Sequence, residues 1–78
     1  MIGKAVLFFE QIDEKVTELE FSEILKISIM TKGLPKNKGD LYFMLSSFEA
    51  LNLIEKKPRQ IYKLNWDVLK KMRKEGGF

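Results

Sequence analysis

The sequence lacks the side chains that most enzymes use for acid–base and nucleophilic chemistry. It contains no His and no Cys, so the commonest general base, the thiol nucleophile and thiolate metal sites are all excluded. Its carboxylate pairs, Asp13 with Glu14 and Glu18 with Glu20, are far more typical of solvated charges than of an active site, and there is no Gly-rich phosphate loop. We therefore expect no enzyme activity, no cofactor, no metal site and no small-molecule ligand.

Cations are the second kind of chemistry that the sequence offers, and they are unevenly distributed. Residues 1–31 hold three Lys and six acids, a net charge of −3, whereas residues 32–78 hold eleven Lys or Arg and five acids, a net charge of +6. Many of these cations fall around Asn37 and in the stretch 56–63. The basic second half suits an anionic partner. Judged from charge alone, a solvated surface on which the charges are unevenly spread is an equally good explanation.

The elements that must position these cations begin with two helices and a short strand between them. Apolar residues recur at helical spacing over 2–13 and predict a first helix. Polar and apolar residues alternate over 17–21, which predicts a short strand. Ser22 is the predicted N-cap of a second helix that continues to Met30 and is terminated by Gly33.

The second half of the chain predicts a helix followed by a hairpin. The strongest apolar stripe predicts a third helix over 37–52, which Asn closes because it tolerates the left-handed conformation. Strands are predicted over 53–57 and 60–64, joined by a type I turn with Pro58 at its second position. Asn65 is the predicted cap of a last short helix.

This order predicts an α+β fold that is mostly α. We predict one domain over residues 1–75 and a frayed C-terminal tail at 76–78. Three stretches, FSEI at 21–24, GLPK at 33–36 and LYFMLSSFEALNLIEKKPRQIYKL at 41–64, together resemble the winged helix-turn-helix domains of the IclR and MarR groups of transcriptional regulators. The resemblance covers nearly the whole chain. It implies a three-helix core, a wing sheet of two or three strands and a short C-terminal helix.

The chain departs from the pattern of these families in three places. The segment between Ile24 and Leu41 is longer than usual, so helix two or the turn after it must absorb the extra residues. Asn52 stands where the families usually have Gly, which is a conservative exchange at a helix end. Phe43 stands where Arg is frequent, which puts direct base reading at that position in question.

The resemblance implies that helix 37–52 lies in the major groove of DNA and that the wing, 56–63, lies on the backbone or in the minor groove. The predicted DNA-binding residues are Lys36, Asn37, Lys38, Asp40, Tyr42, Phe43, Ser46, Ser47, Lys56, Lys57, Arg59 and Lys63. Several have a second interpretation. Asn37 could cap the helix instead of reading adenine, and the two Ser could pack instead of binding phosphate. Tyr42 and Phe43 could contact thymine methyl groups or pack on helix two or on a partner chain. The basic wing could simply keep an edge hairpin from pairing with other chains.

A chain of this size has a small core, and without Cys it has no disulfide to stabilise it, so a second copy is the expected source of further stability. The predicted dimer contacts are Leu7, Phe8, Trp66, Leu69 and Met72, although the last three could instead form a lid on the core. The longest apolar run, 5–9, is too short to cross a membrane, and no signal-peptide pattern is present. We expect an intracellular protein of the cytoplasm, associated with the nucleoid.

The function predicted from the sequence is therefore that of a small dimeric transcriptional regulator that binds double-stranded DNA. A winged-helix module that binds protein without DNA is the alternative, since a fold does not determine function. An architectural DNA binder without sequence preference is a third interpretation.

Overall fold

The computed structural model describes residues 2–76. The helices are α1 (Ile2–Glu10), α2 (Phe21–Met30), α3 (Lys38–Ala50) and α4 (Trp66–Gly76), and the strands are β1 (Glu18–Glu20), β2 (Ile54–Lys57) and β3 (Ile61–Leu64). Their order along the chain is α1-β1-α2-α3-β2-β3-α4. The chain is thus mostly helical with one small sheet, as predicted, and the arrangement is consistent with a winged-helix layout.

The sheet is antiparallel, and β3 is its central strand. The strand order is β1-β3-β2, with Leu19 opposite Tyr62 and Ile54 opposite Leu64. Tyr62 and Leu64 are buried while Lys63 is exposed, as the predicted alternation requires. One face of the sheet therefore covers the core, and side chains from all seven elements meet in a single buried cluster.

The first helix is shorter than predicted and more completely buried. It ends at Glu10 and not at residue 13, because the next two amides, of Gln11 and Ile12, donate to the carbonyls three residues back and tighten the turn. Phe8 is fully buried against Phe48.

Burial also limits the predicted dimer contacts. Phe8 and Leu69 have exposed fractions of 0% and 4%, so both are occupied by the core of their own chain and neither is available to a partner. Leu7, Trp66 and Met72 are half-buried. The apolar surface of the first helix is therefore used mostly inside its own chain.

The second helix begins two residues earlier than predicted, at Phe21, with Glu20 as its N-cap in place of Ser22. The Glu23 side chain accepts a hydrogen bond from the Glu20 amide at 3.1 Å. The carboxylate of Glu23, the third residue of the helix, therefore provides a hydrogen-bond acceptor for the backbone amide of the N-cap residue. The Ser22 side chain is exposed.

The long connector between the second and third helices is held by hydrogen bonds to the end of α2. The buried Ser28 hydroxyl donates to the carbonyl of Pro35, and the Thr31 hydroxyl donates to that of Ile27 at 2.7 Å. Lys36 donates to the carbonyls of Ser28 and Thr31. Gly33 has φ 96°, and a Cβ there would lie 3.1 Å from Leu7. The extra residues of this segment thus form a fixed loop that closes the carboxyl end of α2.

Both ends of α3 are defined by Asn residues. At the start, Asn37 Oδ1 accepts from the Asp40 amide at 2.9 Å. At the end, Asn52 has φ 67°, and the amides of Asn52 and Leu53 donate to the carbonyls of Glu49 and Phe48, each at 2.9 Å. This pair of bonds is the Schellman arrangement, and it directs the chain into β2 as the sequence predicts.

The hairpin loop differs from the predicted type I turn. Lys57 pairs with Ile61, which leaves a loop of three residues. Arg59 (φ 65°) and Gln60 (φ 58°) are both left-handed, whereas a type I turn needs a negative φ after the Pro. The second strand of the hairpin, β3, consequently begins at Ile61, one residue later than predicted.

The last helix packs on the first. Trp66 lies edge-on to Phe9, with ring centroids 4.9 Å apart, and its Nε1 donates to the carbonyl of Val16 at 2.7 Å. The Asn65 carbonyl accepts from the amides of Val68 and Leu69 in the first turn of α4, while its side chain donates to the carbonyl of Asn52 at 2.8 Å. Gly76 belongs to the helix, so the predicted frayed tail does not begin there, and residues 77–78 lie outside the described part. Within residues 2–76, no helix has the length and apolar character needed to cross a membrane.

Candidate nucleic-acid interface

The outward surface of α3 follows from helical geometry. Successive residues turn by about 100°, and the buried side chains Leu41, Met44, Leu45 and Phe48 define the inward face. The opposite, outermost stripe consists of Gly39, Phe43, Ser46 and Ala50, all exposed. Phe43 is the one large side chain on this stripe, and it is 71% exposed.

The two aromatic residues that the sequence predicts as base contacts are separated by the structure. Tyr42 stacks on Phe21 of α2, with ring planes 8° apart and centroids 4.3 Å apart, so for Tyr42 packing on helix two is the observed role. Phe43 projects from α3 with most of its surface exposed. Packing inside the chain is therefore ruled out for most of the Phe43 ring.

A cleft of about 460 Å³ lies between the start of α2, the start of α3 and the tip of the wing. Its lining residues are Glu20, Phe21, Ser22, Leu25, Lys38, Arg59 and Gln60. Lys38 and Arg59 are twenty-one positions apart in the chain, yet they line the same opening. The left-handed loop after Pro58 is what brings the Arg59 backbone to this position. Glu20 is the one acidic residue of the lining.

A pocket of about 300 Å³ lies beside the other flank of α3. It is lined by Lys4, Gly33, Leu34, Pro35, Asp40, Phe43 and Met44. Cations therefore stand on both sides of the α3 amino end, with Lys4 on one side and Lys38 and Arg59 on the other. The sequence prediction missed Lys4, because only tertiary packing of α1 beside the 33–35 loop brings it near α3.

Three of the predicted DNA-binding cations, Lys36, Lys57 and Lys63, line neither the cleft nor the pocket. Lys36 binds the carbonyls that end α2, so its charge is directed into the chain. Lys57 forms an ion pair with Glu18 at 3.4 Å. Lys63 lies between Glu18 and Glu55 across the outer face of the sheet.

The outer face of the sheet is therefore a mixed surface and not a cationic one. Alternation places Glu18 and Glu20 of β1, Ile61 and Lys63 of β3, and Glu55 and Lys57 of β2 on this face. Three acids outnumber two Lys. The cations suited to a phosphate partner are concentrated at the tip of the wing and beside α3.

Lys56 points to the inner side of the sheet, next to α3. It is opposite Tyr62, and its amide donates to the Glu49 carboxylate at 3.3 Å. Burial raises the pKa of the Tyr62 phenol above its ordinary value, with smaller contributions from Tyr42 and Glu49. The hydrogen bond from Lys56 to Glu49 and the buried Tyr62 side chain therefore hold the wing against α3.

The remaining predicted contacts divide between capping and exposure. Asn37 uses Oδ1 for the Asp40 amide and Nδ2 for the Asp40 carboxylate, both at 2.9 Å, so capping is its observed role and Asp40 is occupied with it. Ser47 donates to the carbonyl of Phe43 at 3.1 Å. Ser46 is exposed on the outermost stripe.

The chemistry available at this surface is binding by charge, apolar contact and one or two hydroxyl groups. Across residues 2–76, no group of three or more acidic side chains is arranged to hold a metal ion. Comparison of the chain with protein-family models, with curated proteins and with solved structures finds no match.

Proposed function

We propose that this protein is a winged-helix DNA-binding protein, resembling the IclR and MarR groups, that acts as a small homodimeric transcriptional regulator. In this proposal α3 enters the major groove of double-stranded DNA and the tip of the wing lies against the backbone or in the minor groove. A helix fits the major groove in width, and its amino end meets the bases first.

The observation that carries the proposal is that Lys38 and Arg59 line the same cleft. It joins the amino end of α3 to the wing tip, and these are the two places where a winged helix would meet DNA. Charges that neutralise phosphates supply most of the sequence-independent affinity for DNA. Phosphate contacts then fix the orientation in which other side chains read bases.

The flanking position of Lys4 supports the same orientation. A helix in the major groove has a phosphate backbone on either side of it. Lys4 on one side of α3, and Lys38 with Arg59 on the other, suit that arrangement. The mixed charges of the outer sheet face favour contact through the wing tip over contact through the flat of the sheet.

The proposal is tested by measuring affinity for a random-sequence duplex pool over a series of salt concentrations. The wild-type protein should bind at low salt and lose affinity steeply as salt rises. The double variant Lys38→Ala/Arg59→Ala should bind more weakly, with a slope of log K against log salt that is reduced by about 2, one for each lost phosphate contact.

The matched control is Lys71→Ala/Arg73→Ala on α4. It removes the same two charge types from exposed positions on a helix that follows the end of β3 opposite the wing. The control should keep the wild-type slope. If the two double variants lose affinity equally, net charge and not this cleft governs binding. If the wild-type protein binds no duplex at low salt, DNA binding is wrong.

Binding to another protein is the second candidate function, and exposed apolar side chains at the end of α2 favour it. Met30 and Ile29 are 85% and 49% exposed, and exposed apolar patches mark sites of protein–protein contact. A protein whose partner is an apolar protein surface should bind no duplex at low salt, whereas a DNA-binding protein should bind it and lose affinity as salt rises. The same titration therefore separates the two functions.

A further inference from the structure

The outermost stripe of α3 is poor in the groups that read bases by hydrogen bonding. Arg, Asn and Gln, which make bidentate contacts with guanine and adenine, do not occur between Lys38 and Ala50. Lys can also contact guanine in this way, but the one Lys of this segment, Lys38, lies off the stripe in the cleft with Arg59. Asp40 is bonded to Asn37, and the Ser47 hydroxyl is bonded within its own helix. Ser46 is the one polar side chain on the stripe itself.

The same stripe is well suited to an apolar contact. Gly39 and Ala50 are small and exposed, so the backbone of α3 can come close to a surface on both sides of Phe43. A Cβ at Gly39 would have only Asn37 within 4 Å, at 3.5 Å, so this Gly is not required by packing. Phe43, 71% exposed, is left as the most prominent side chain that an occupant of this face would meet.

The apolar feature of the DNA major groove is the methyl group on C5 of thymine. 5-Methylcytosine carries the same group at the same ring position. Resting on the proposed function, we infer that Phe43 is the specificity-determining residue of α3 and that it selects duplexes carrying C5-methyl groups in the major groove. The cations on either flank, Lys4 and Lys38 with Arg59, would hold the helix so that the ring meets the base edges.

The test starts from a random duplex pool that contains both thymine and 5-methylcytosine. Duplexes selected by the wild-type protein are made again in three forms: unchanged, with uracil in place of thymine, and with cytosine in place of 5-methylcytosine. Each contacted methyl group that is removed should lower the affinity by about fourfold, the equivalent of burying one methylene-sized group. The form that loses affinity identifies which base carries the methyl group that is read.

Phe43→Ala should bind all three forms with equal affinity, because its discrimination between methylated and unmethylated bases is lost. Met30→Ala is the matched control, since Met30 is also a large exposed apolar residue but lies on α2, and it should keep the wild-type ratios. Thermal unfolding of both variants checks that the fold is intact, which the exposure of both side chains leads us to expect.

Two results would overturn the inference while leaving the proposed function in place. One is salt-dependent binding by the wild-type protein that is equal for all three forms. The other is a Phe43→Ala variant that keeps the full wild-type ratios, since uracil would then act through the shape of the duplex and not through contact with the ring. Absence of binding to any duplex by the wild-type protein would instead overturn both.

Discussion

Tyr62 occupies the junction between the wing and α3, where its buried phenol faces Tyr42 and Glu49. Burial disfavours the phenolate, and the two neighbours disfavour it further, so the pKa of Tyr62 in the folded chain is above the ordinary value of 10.0. The folded state therefore holds this proton more tightly than the unfolded state does. The resulting stability is complete below pH 10 and is lost as the pH rises through the folded pKa.

Tyr62→Phe should remove this alkaline loss. At pH 7 the variant should unfold within about 1 kcal/mol of the wild-type protein, because only a hydroxyl is removed. Between pH 10 and pH 11 the free energy of unfolding should fall more steeply for the wild-type protein than for the variant. Denaturant unfolding at four pH values from 7 to 11 measures the difference. Parallel curves for the two proteins would show that folding does not raise the pKa of Tyr62.

At the scale of an element, the end of α3 depends on one backbone conformation. Asn52 at φ 67° allows two amide bonds to close the helix and directs the chain into the wing. Asn52→Ala should lower the free energy of unfolding by about 1 kcal/mol, since Ala adopts this conformation with difficulty. Asn52→Gly should equal or exceed the wild-type stability.

Urea unfolding of the two Asn52 variants gives the comparison directly. If Ala and Gly at position 52 were equally stable, the left-handed conformation would not be limiting at this helix end. Circular dichroism at the same time shows whether helix content is kept, which separates a local loss at the end of α3 from loss of the whole helix.

The elements that were predicted best from the sequence are those fixed by neighbouring residues. Asn37 with Asp40, Asn52 and the alternation of Tyr62 with Leu64 act within a few positions, so their residue types carried enough information to place α3 and β3. The start of α2 was predicted two residues late because Glu20, an uncommon N-cap residue, is assisted by Glu23.

What could not be predicted depends on contacts between distant segments or on unusual backbone angles. The stacking of Tyr42 on Phe21 and the approach of Lys4 to α3 join residues that are 21 and more positions apart. The left-handed Arg59 and Gln60 are of residue types that seldom adopt this conformation. Much of the candidate site therefore became visible only when the elements were assembled.

At the scale of the whole molecule, the proposed regulator is expected to form a two-fold dimer. Two copies would present two α3 helices about one turn of DNA apart. Phe8 and Leu69 are used by the core, so we expect the half-buried Leu7, Trp66 and Met72 to contribute any apolar contact. Sedimentation equilibrium at micromolar concentration should give twice the chain mass of 9.2 kDa.

Met72→Gln should shift that equilibrium towards monomer, because it places an amide in the proposed apolar contact. Lys71→Gln, at the neighbouring exposed position, is the matched control and should leave the mass unchanged. A wild-type protein that sediments only as monomer would contradict the dimer, and with it the two-fold arrangement on DNA.

The contact of Trp66 with Phe9 and Val16 also gives the molecule an optical reporter. Trp66 is the one tryptophan of the chain, and it lies at the α1–α4 junction, beyond the end of β3 that is opposite the wing. β3 spans four residues, or about 10 Å of extended chain. Fluorescence from this indole should therefore follow the integrity of the fold and of the expected dimer contact, and respond little when DNA occupies α3 and the wing. Unfolding can then be followed on the unlabelled protein whether or not DNA is bound.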